Sequence, residues 1–472
     1  MILGWYSVLL ATLLAFLIYI AFFWKINWIR DLRCENKIKY RKMEKLPPVY
    51  PNGWFALLES SQLKVGQVKH VSALGENFAV FRTEKGIVNI LDAYCPHLGA
   101  NMGEGGRVKG ECLECPFHKW LFYGNDGRCI DIPYANKGKE FFFNFFLLHN
   151  IHKIVDFVSV PNVAKTKAWR SCEVNKIIFV WYHAESAKPD WQPHPHEKIS
   201  NGTWRFQGRN EFIVNCHIQD IAENGADLAH LSAVHGPALF LSEDVMRFVR
   251  HRWSNAGWTP HSSESNDDSS KTPTEKNIPE EETMWEDDLT KKTSTTKTTI
   301  NGDSKNMLNG RTTMTTTATA TIANGQQNSY NGEKHRASMT LRHSLLLLDR
   351  FDILELNVKV EQIGPGYVEL FIETTFGNMF ILQTVTPIEP LLQRICHIIF
   401  SPPLLAPYAS IVFLGECLMF ERDVAIWNHK RFETRPILVR EDKTIAAYRK
   451  WYSQFYSTNS PTYQTAMKSL QW

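Results

Sequence analysis

A chain of 472 residues with 44% hydrophobic content can bury two or three cores, which excludes a wholly disordered protein. A net charge of +3 on this length, with no reader motif, excludes a nucleic-acid-binding face. Nine scattered cysteines, an odd and sparse set, exclude a secreted disulfide framework and suit a reducing compartment.

Residues 2–24 carry no charge and as a helix are long enough to cross about 30 Å of hydrocarbon, so 1–24 is expected to be a transmembrane anchor. A cleaved signal peptide is the rival, but the run is too long for an h-region and lacks a basic n-region and a small-residue cleavage site. Behind it Lys25, Arg30, Arg33, Lys37, Lys39, Arg41, Lys42 and Lys45 outnumber Asp31, Glu35 and Glu44, which puts the body on the cytosolic side. Residues 25–52 form a basic collar ending in a proline-rich linker with Pro47, Pro48 and Pro51.

Over 53–160, short β-branched or aromatic runs at 78–81, 88–91 and 120–123, separated by Gly and Asp turns, predict a small antiparallel β domain. It contains Cys95-x-His97 and Cys115-x-x-His118, with 17 residues between the pairs. Two thiolates and two imidazoles in mixed pairs fit a Rieske-type [2Fe–2S] cluster, the cysteines holding one iron and the histidines the other. Zinc is the other metal for such a set, but its spacings normally pair Cys with Cys and His with His. A glycine-rich gap lets the backbone bend closely, while Pro96 and Pro116 stiffen the ligand loops. With Gly53, Trp54 and Phe55, the region resembles the Rieske domain of ring-hydroxylating and steroid-modifying oxygenases over about residues 50–160.

A second domain is expected over 161–253 and 341–472. Residues 176–182 and 212–215 read as strands, and a helical stretch begins near Asp220. Residues 254–340 turn abruptly to Thr, Ser, Asn, Lys and Glu, too poor in large apolar side chains to offset their ordering entropy, and are expected to be a disordered insertion. Alternating runs at 353–360 and 367–374, preceded by an apolar run at 341–348, predict an antiparallel sheet with one face on a core. The expected fold class is α+β: an N-terminal transmembrane helix, a small antiparallel β cluster domain, and an α+β mononuclear-iron domain built on an antiparallel sheet.

His230 and His235 lie five apart, with Asp227 one turn before His230. Two imidazoles and a carboxylate make the facial triad of a non-haem Fe(II) centre, which leaves positions open for dioxygen. A structural histidine is the commoner explanation for a single one. With the cluster pattern upstream, however, Asn224, Asp227, His230 and His235 spell Asn-x-x-Asp-x-x-His-x4-His, which resembles the iron domain of Rieske oxygenases. That resemblance implies that Asp227 does not bind iron but links His230 to His118 of a neighbouring subunit as an electron bridge. It also implies a carboxylate ligand from the late helix over 417–427, where Asp423 matches best, Glu421 competes, and Glu416 is third.

The anchor, the basic collar, the cluster loops and Asp423-Val-Ala-Ile-Trp-Asn-His-Lys430 together resemble the Neverland-type cholesterol 7-desaturases of insects, nematodes and other animals, over nearly the whole chain apart from the insertion. The resemblance implies electrons passing from NAD(P)H through a separate reductase to the [2Fe–2S] cluster and then to Fe(II), with O2 as co-substrate. Cholesterol then loses hydrogens from C7 and C8 to give 7-dehydrocholesterol. It further implies a homotrimer and a single-pass protein of the endoplasmic reticulum membrane. No Gly-x-Gly-x-x-Gly is evident, so the nicotinamide is expected on another protein. The apolar run 398–400 reads as core, with sterol or membrane contact as the alternative. Competing functions are a ketosteroid-type hydroxylase, an inactive scaffold, and a membrane-anchored Rieske electron-transfer subunit. The last carries an extra disulfide cysteine in each ligand loop, where this chain has Ala100 and Phe117.

Overall fold

The computed structural model describes residues 12–33, 46–135, 160–236, 249–261 and 333–470, apart from positions 17, 20 and 21. Of the anticipated anchor, residues 12–16, 18, 19, 22 and 23 are helical, and Leu13, Leu14, Phe16 and Phe23 are exposed. Residues 1–11 of that expectation lie outside the described residues. The collar is not merely a linker, because it contains a strand, β1 (Ile26–Asp31).

The next strands are β2 (Gly53–Glu59), β3 (Val68–Ala73), β4 (Glu76–Arg82) and β5 (Val88–Asp92). They are followed by β6 (Arg107–Lys109), β7 (Cys112–Glu114), β8 (Leu121–Tyr123) and β9 (Cys129–Asp131). β10 (Ala168–Trp169), β11 (Ser171–Val174) and β12 (Ile177–Tyr182) come next. They form three small sheets, in the orders β10-β5-β4-β3, β11-β12-β2 and β6-β7-β8-β9. The expected domain boundary at 160 therefore moves. β10 pairs with β5 and β12 with β2, so residues 168–182 complete the sheets of the cluster domain rather than opening the next one. The run 177–182 is buried on both faces, which gave it the look of an independent core strand.

The second part is one large sheet. It comprises β13 (Arg205–Val214), β14 (Val249–Pro260), β15 (Arg336–Leu347), β16 (Phe351–Ile363), β17 (Tyr367–Thr374), β18 (Gly377–Glu389) and β19 (Leu392–Ser401). The order is β1-β13-β19-β18-β17-β16-β15-β14, antiparallel except for the β1–β13 pair. The insertion is shorter than its composition suggested, since residues 254–260 and 336–340 are paired strand in β14 and β15. Trp258, Ala337 and Met339, alternating with threonine and serine, supply the inward face there. Residues 262–332 lie outside the described residues. Ile398, Ile399 and Phe400 are buried in the core, so the alternative of membrane contact at this run does not hold.

Among the helices packed on this frame are α1 (Ile218–Glu223), α2 (Leu228–His235), α3 (Ala406–Trp427) and α4 (Lys443–Tyr452). α3 lies along β13, where Gly208 lets it approach: a Cβ there would come within 3.2 Å of Phe413 Cδ1. Phe413 is fully buried, a contribution of about 1.5–3 kcal/mol for such a side chain. Among the described residues, Pro403–Trp427 is the one helix long and apolar enough to cross a membrane, but it packs on this sheet. One core runs from Phe55, Val71 and Phe78 of the small sheets to Phe212 and Val385 of the large one and Trp427 of α3. Arg394 Nη2 donates across the join to the carbonyls of Ala56 and Leu57 at 3.0 and 2.9 Å.

Candidate metal centres

The first candidate site sits on two facing loops, one between β5 and β6, the other the turn from β7 to β8. Each is closed by a matched pair of backbone bonds. The N–H of Cys95 donates to Ala100 and that of Gly99 to Cys95, both at 2.9 Å; Cys115 donates to Trp120 at 2.8 Å and Lys119 to Cys115 at 3.2 Å. The thiols face inward, with Cys95 and Cys115 only 3% and 1% exposed, while His97 and His118 are half-buried at the rim. The two imidazoles stand 4.6 Å apart at 69°, and His97 stacks on Trp120 at 4.6 Å. The Trp120 indole N–H is anchored by the Tyr134 hydroxyl at 2.9 Å.

This arrangement fits two irons better than one zinc. A tetrahedral ion needs all its ligand atoms in one tight set. Among the described residues the group of three or more whose ligand atoms lie within 4.8 Å of one another is a different one, so the cysteine and histidine pairs stay separate. Burial, and then the neighbouring Cys115 thiol, pushes the Cys95 thiol up to about 11, so its thiolate depends on a cation beside it. Cys112 and Cys129 are buried in the surrounding core, with the Cys129 thiol on the Asp131 carbonyl at 3.3 Å. None of the eight described cysteines forms a disulfide.

The second candidate site is that tight set: His230, His235 and Asp423. α2 carries both histidines and α3 the carboxylate, and Arg422 ties the helices together by donating to the Val234 carbonyl at 3.3 Å. Asp423 Oδ1 lies 3.2 Å from His235 Nε2, and the two imidazole rings stand 5.2 Å apart at 79°. His230 Nδ1 donates to the Asp227 carbonyl at 2.5 Å, which leaves Nε2 as the lone-pair nitrogen facing the set. Among the described residues His235 Nδ1 is buried without a hydrogen-bond partner, so what its Nε2 meets orients the ring. One acceptor-only carboxylate, 7% exposed, among imidazole nitrogens suits a divalent cation with open positions.

The competing carboxylates are elsewhere. Glu421 turns to β1, accepting from the Trp28 indole at 3.0 Å and pairing with Arg30 at 3.4 Å. Asp227 as the third triad ligand is also set aside, because its Oδ1 accepts the His230 backbone N–H at 3.2 Å and caps α2. Glu416 lies two turns before Asp423 on α3, bound to Asn210 and facing His397.

A cavity of about 750 Å³ opens beside the triad, within the range of sites for small hydrophobic ligands. Trp253, Leu341, Val358, Leu370, Ile381 and Met419 are among its walls. Sequence reasoning missed the polar groups that share these walls. His251 Nδ1 and His343 Nε2 meet at 2.7 Å, and burial pushes the two imidazoles down to about 4 and about 3. The alternation of Leu341, His343 and Leu345 along β15 was the available signal, since it places His343 on the apolar face.

The Rieske [2Fe-2S] domain family matches residues 53–152, and the 3-ketosteroid 9alpha-hydroxylase C-terminal domain family matches 180–456, more than half of the chain. Cholesterol 7-desaturase nvd of Drosophila melanogaster is 37% identical, covering 95% of this chain and 90% of that protein. Cholesterol 7-desaturase nvd 1 of Ciona intestinalis is 39% identical, covering 90% and 73%. The solved structure of a Pseudomonas putida CBB5 NdmA QL mutant with caffeine shares the fold, at a TM-score of 0.51 and 12% identity, covering 87% of this chain and 95% of that one. Two facing Cys/His loops, a two-histidine and carboxylate triad beside an apolar cavity, and relatives matched over nine-tenths of this chain agree: the chain belongs to the cholesterol 7-desaturase family of Rieske non-haem iron oxygenases.

Proposed function

We propose that this protein desaturates cholesterol between C7 and C8. The observation that carries the reading is the His230–His235–Asp423 set beside a cavity large and apolar enough for a sterol, in a chain matched over 95% and 93% of its length by two cholesterol 7-desaturases. Cholesterol, O2, NAD(P)H and a proton give 7-dehydrocholesterol, NAD(P)+ and two waters. The two hydrogens from C7 and C8 and the two nicotinamide electrons thus reduce one O2. The [2Fe–2S] cluster supplies single electrons and the mononuclear iron activates dioxygen.

Cys95, Cys115, His97 and His118 hold the cluster, with the imidazole edge turned outward to meet electron partners. His230, His235 and Asp423 hold the iron, Asp227 fixing the His230 tautomer through its carbonyl. The Asp227 carboxylate spends only Oδ1 on the helix cap, which leaves Oδ2 to accept from His118 of an adjacent subunit in a trimer. A separate reductase feeds the clusters. Residues 1–24 anchor the protein in the endoplasmic reticulum membrane, where its substrate resides, with the body cytosolic. Support for the anchor is its uncharged length and the exposed apolar side chains of its described helical residues.

Incubation of the purified protein with a Rieske-oxygenase reductase, NADPH and cholesterol should yield 7-dehydrocholesterol by mass spectrometry. A hydroxylated sterol as the sole product would instead favour the hydroxylase reading, which the 180–456 family match also accommodates.

A further inference from the structure

One cross-strand row crosses the large sheet as Gln362, Val368, Gln383, His397 and Asn210. The rows beside it are apolar: Val360, Leu370, Ile381 and Ile399, then Val358, Ile372 and Met379. Successive rows on one face lie two residues apart along each strand, so the cavity floor changes from polar to apolar within one step. α3 lays Glu416 over the His397–Asn210 end of the polar row. Asn210 Nδ2 donates to Glu416 Oε2 at 2.9 Å, and His397 Nδ1 lies 3.1 Å from Oε1. Gln362, Gln383 and Glu416 all line the cavity.

The hydrogen-bond count at Glu416 is incomplete. The neutral His397 ring also turns Nδ1 to Asn210 Oδ1 at 2.9 Å, so the amide and the imidazole hold the carboxyl together. Burial pushes the Glu416 carboxyl up to about 8, with the Asp423 carboxylate adding to the shift, so near neutral pH it carries a proton. Beyond Asn210 and His397 the carboxyl faces the cavity. A carboxyl O–H that faces a cavity can donate to a ligand hydroxyl placed there. The other polar pair of the wall, His251 and His343, satisfy each other.

The spacing also fits. Glu416 and Asp423 are seven residues apart on one helix, about 10 Å by helical rise. In a sterol, five bonds separate the 3-hydroxyl oxygen from C7, about 6 Å by bond lengths. Adding a hydrogen bond of about 2.8 Å brings C7 close to Asp423. We infer that Glu416, clamped by Asn210 and His397, is the positioning residue that receives the sterol 3-hydroxyl and so sets C7 beside the iron triad; this rests on the sterol reading above. The hydroxyl oxygen accepts from the carboxyl O–H, and the hydroxyl proton returns to the carboxyl or to Gln383.

The test compares cholesterol with cholest-5-ene, which lacks the hydroxyl, in wild type, Glu416→Leu and Glu416→Gln holoenzyme. Cluster absorption and iron content serve as controls for folding. Wild type should prefer cholesterol in kcat/KM by at least about tenfold, and Glu416→Leu should remove most of that preference while changing cholest-5-ene by less than about threefold. Glu416→Gln, which keeps a donor and an acceptor, should retain it. Binding followed by quenching of tryptophan fluorescence should show the same order without turnover. Equal losses for both sterols in Glu416→Leu would make Glu416 a structural clamp of α3 and overturn the assignment, as would a wild type with no preference in either readout. If wild type binds cholesterol with this preference yet makes no 7-dehydrocholesterol, the desaturase reading fails while the hydroxyl subsite stands.

Discussion

Asp227 combines two roles that substitutions can separate. Its Oδ1 caps α2 through the His230 N–H at 3.2 Å, and α2 is an eight-residue helix that carries both imidazoles of the iron triad. Asp227→Ala deletes the cap, a loss of about 1 kcal/mol. That is about fivefold in the local opening equilibrium of a two-turn helix, so iron affinity should fall by about that factor. Over a body this large the melting temperature should drop by less than about 2 °C. Asp227→Asn retains a capping oxygen but loses the charge. It should keep the wild-type melting temperature and iron affinity, yet lose turnover by at least about tenfold if the carboxylate bridges to a partner's imidazole. Scanning calorimetry, iron competition with a chelator, and product formation with a pre-reduced cluster measure the three quantities. Wild-type turnover by Asp227→Asn would refute the bridge, and unchanged iron affinity in Asp227→Ala would refute the cap.

Gly106→Ala should abolish the [2Fe–2S] chromophore while leaving mononuclear iron, because the new Cβ meets the Met102 carbonyl oxygen at 2.2 Å, a backbone atom that cannot step aside. Absorption spectra and iron counts decide this. Cys115→Ser and Asp423→Ala chains should each be inactive alone but regain partial product formation when co-assembled, since a mixed trimer sets an intact cluster beside an intact iron; mixtures that stay silent would argue for electron transfer within one chain. Burial holds His397 neutral down to about 3, whereas an unfolded imidazole protonates near 6.5. The unfolded state thus binds more protons between those values, and stability falls as pH drops from about 6.5 toward 3. Urea midpoints at pH 7.5, 6 and 5 should decline more steeply for wild type than for His397→Gln. The sequon at Asn201, exposed and closed by Thr203 donating to its side chain at 2.8 Å, should remain unglycosylated if the body is cytosolic. An endoglycosidase shift on gels would reverse the topology.

The cluster motif was legible from residue type and spacing, whereas the His230 and His235 pair became a candidate only through the resemblance that the upstream motif supports. Cys95-x-His97 and Cys115-x-x-His118 are local loops, and a loop whose ligands lie within a few residues carries its chemistry in the chain itself. The strand runs at 353–360 and 367–374 were equally legible, because period-two alternation is a local signal. The choice among Asp423, Glu421 and Glu416 was not a local matter. All three lie on one helix, and only the packing of α3 against α2, β1 and the β13–β19 face turns them respectively to the histidines, to Arg30 and to Asn210. The boundary at 160 moved for the same reason, since β10 and β12 find partners more than 75 residues earlier in the chain. Composition likewise overextended the insertion, because Thr and Ser disfavour a core but are good strand residues once Trp258 and Met339 are buried beside them. The polar row under Glu416 belongs wholly to the tertiary structure: its members come from five strands, and only sheet register brings them into one line.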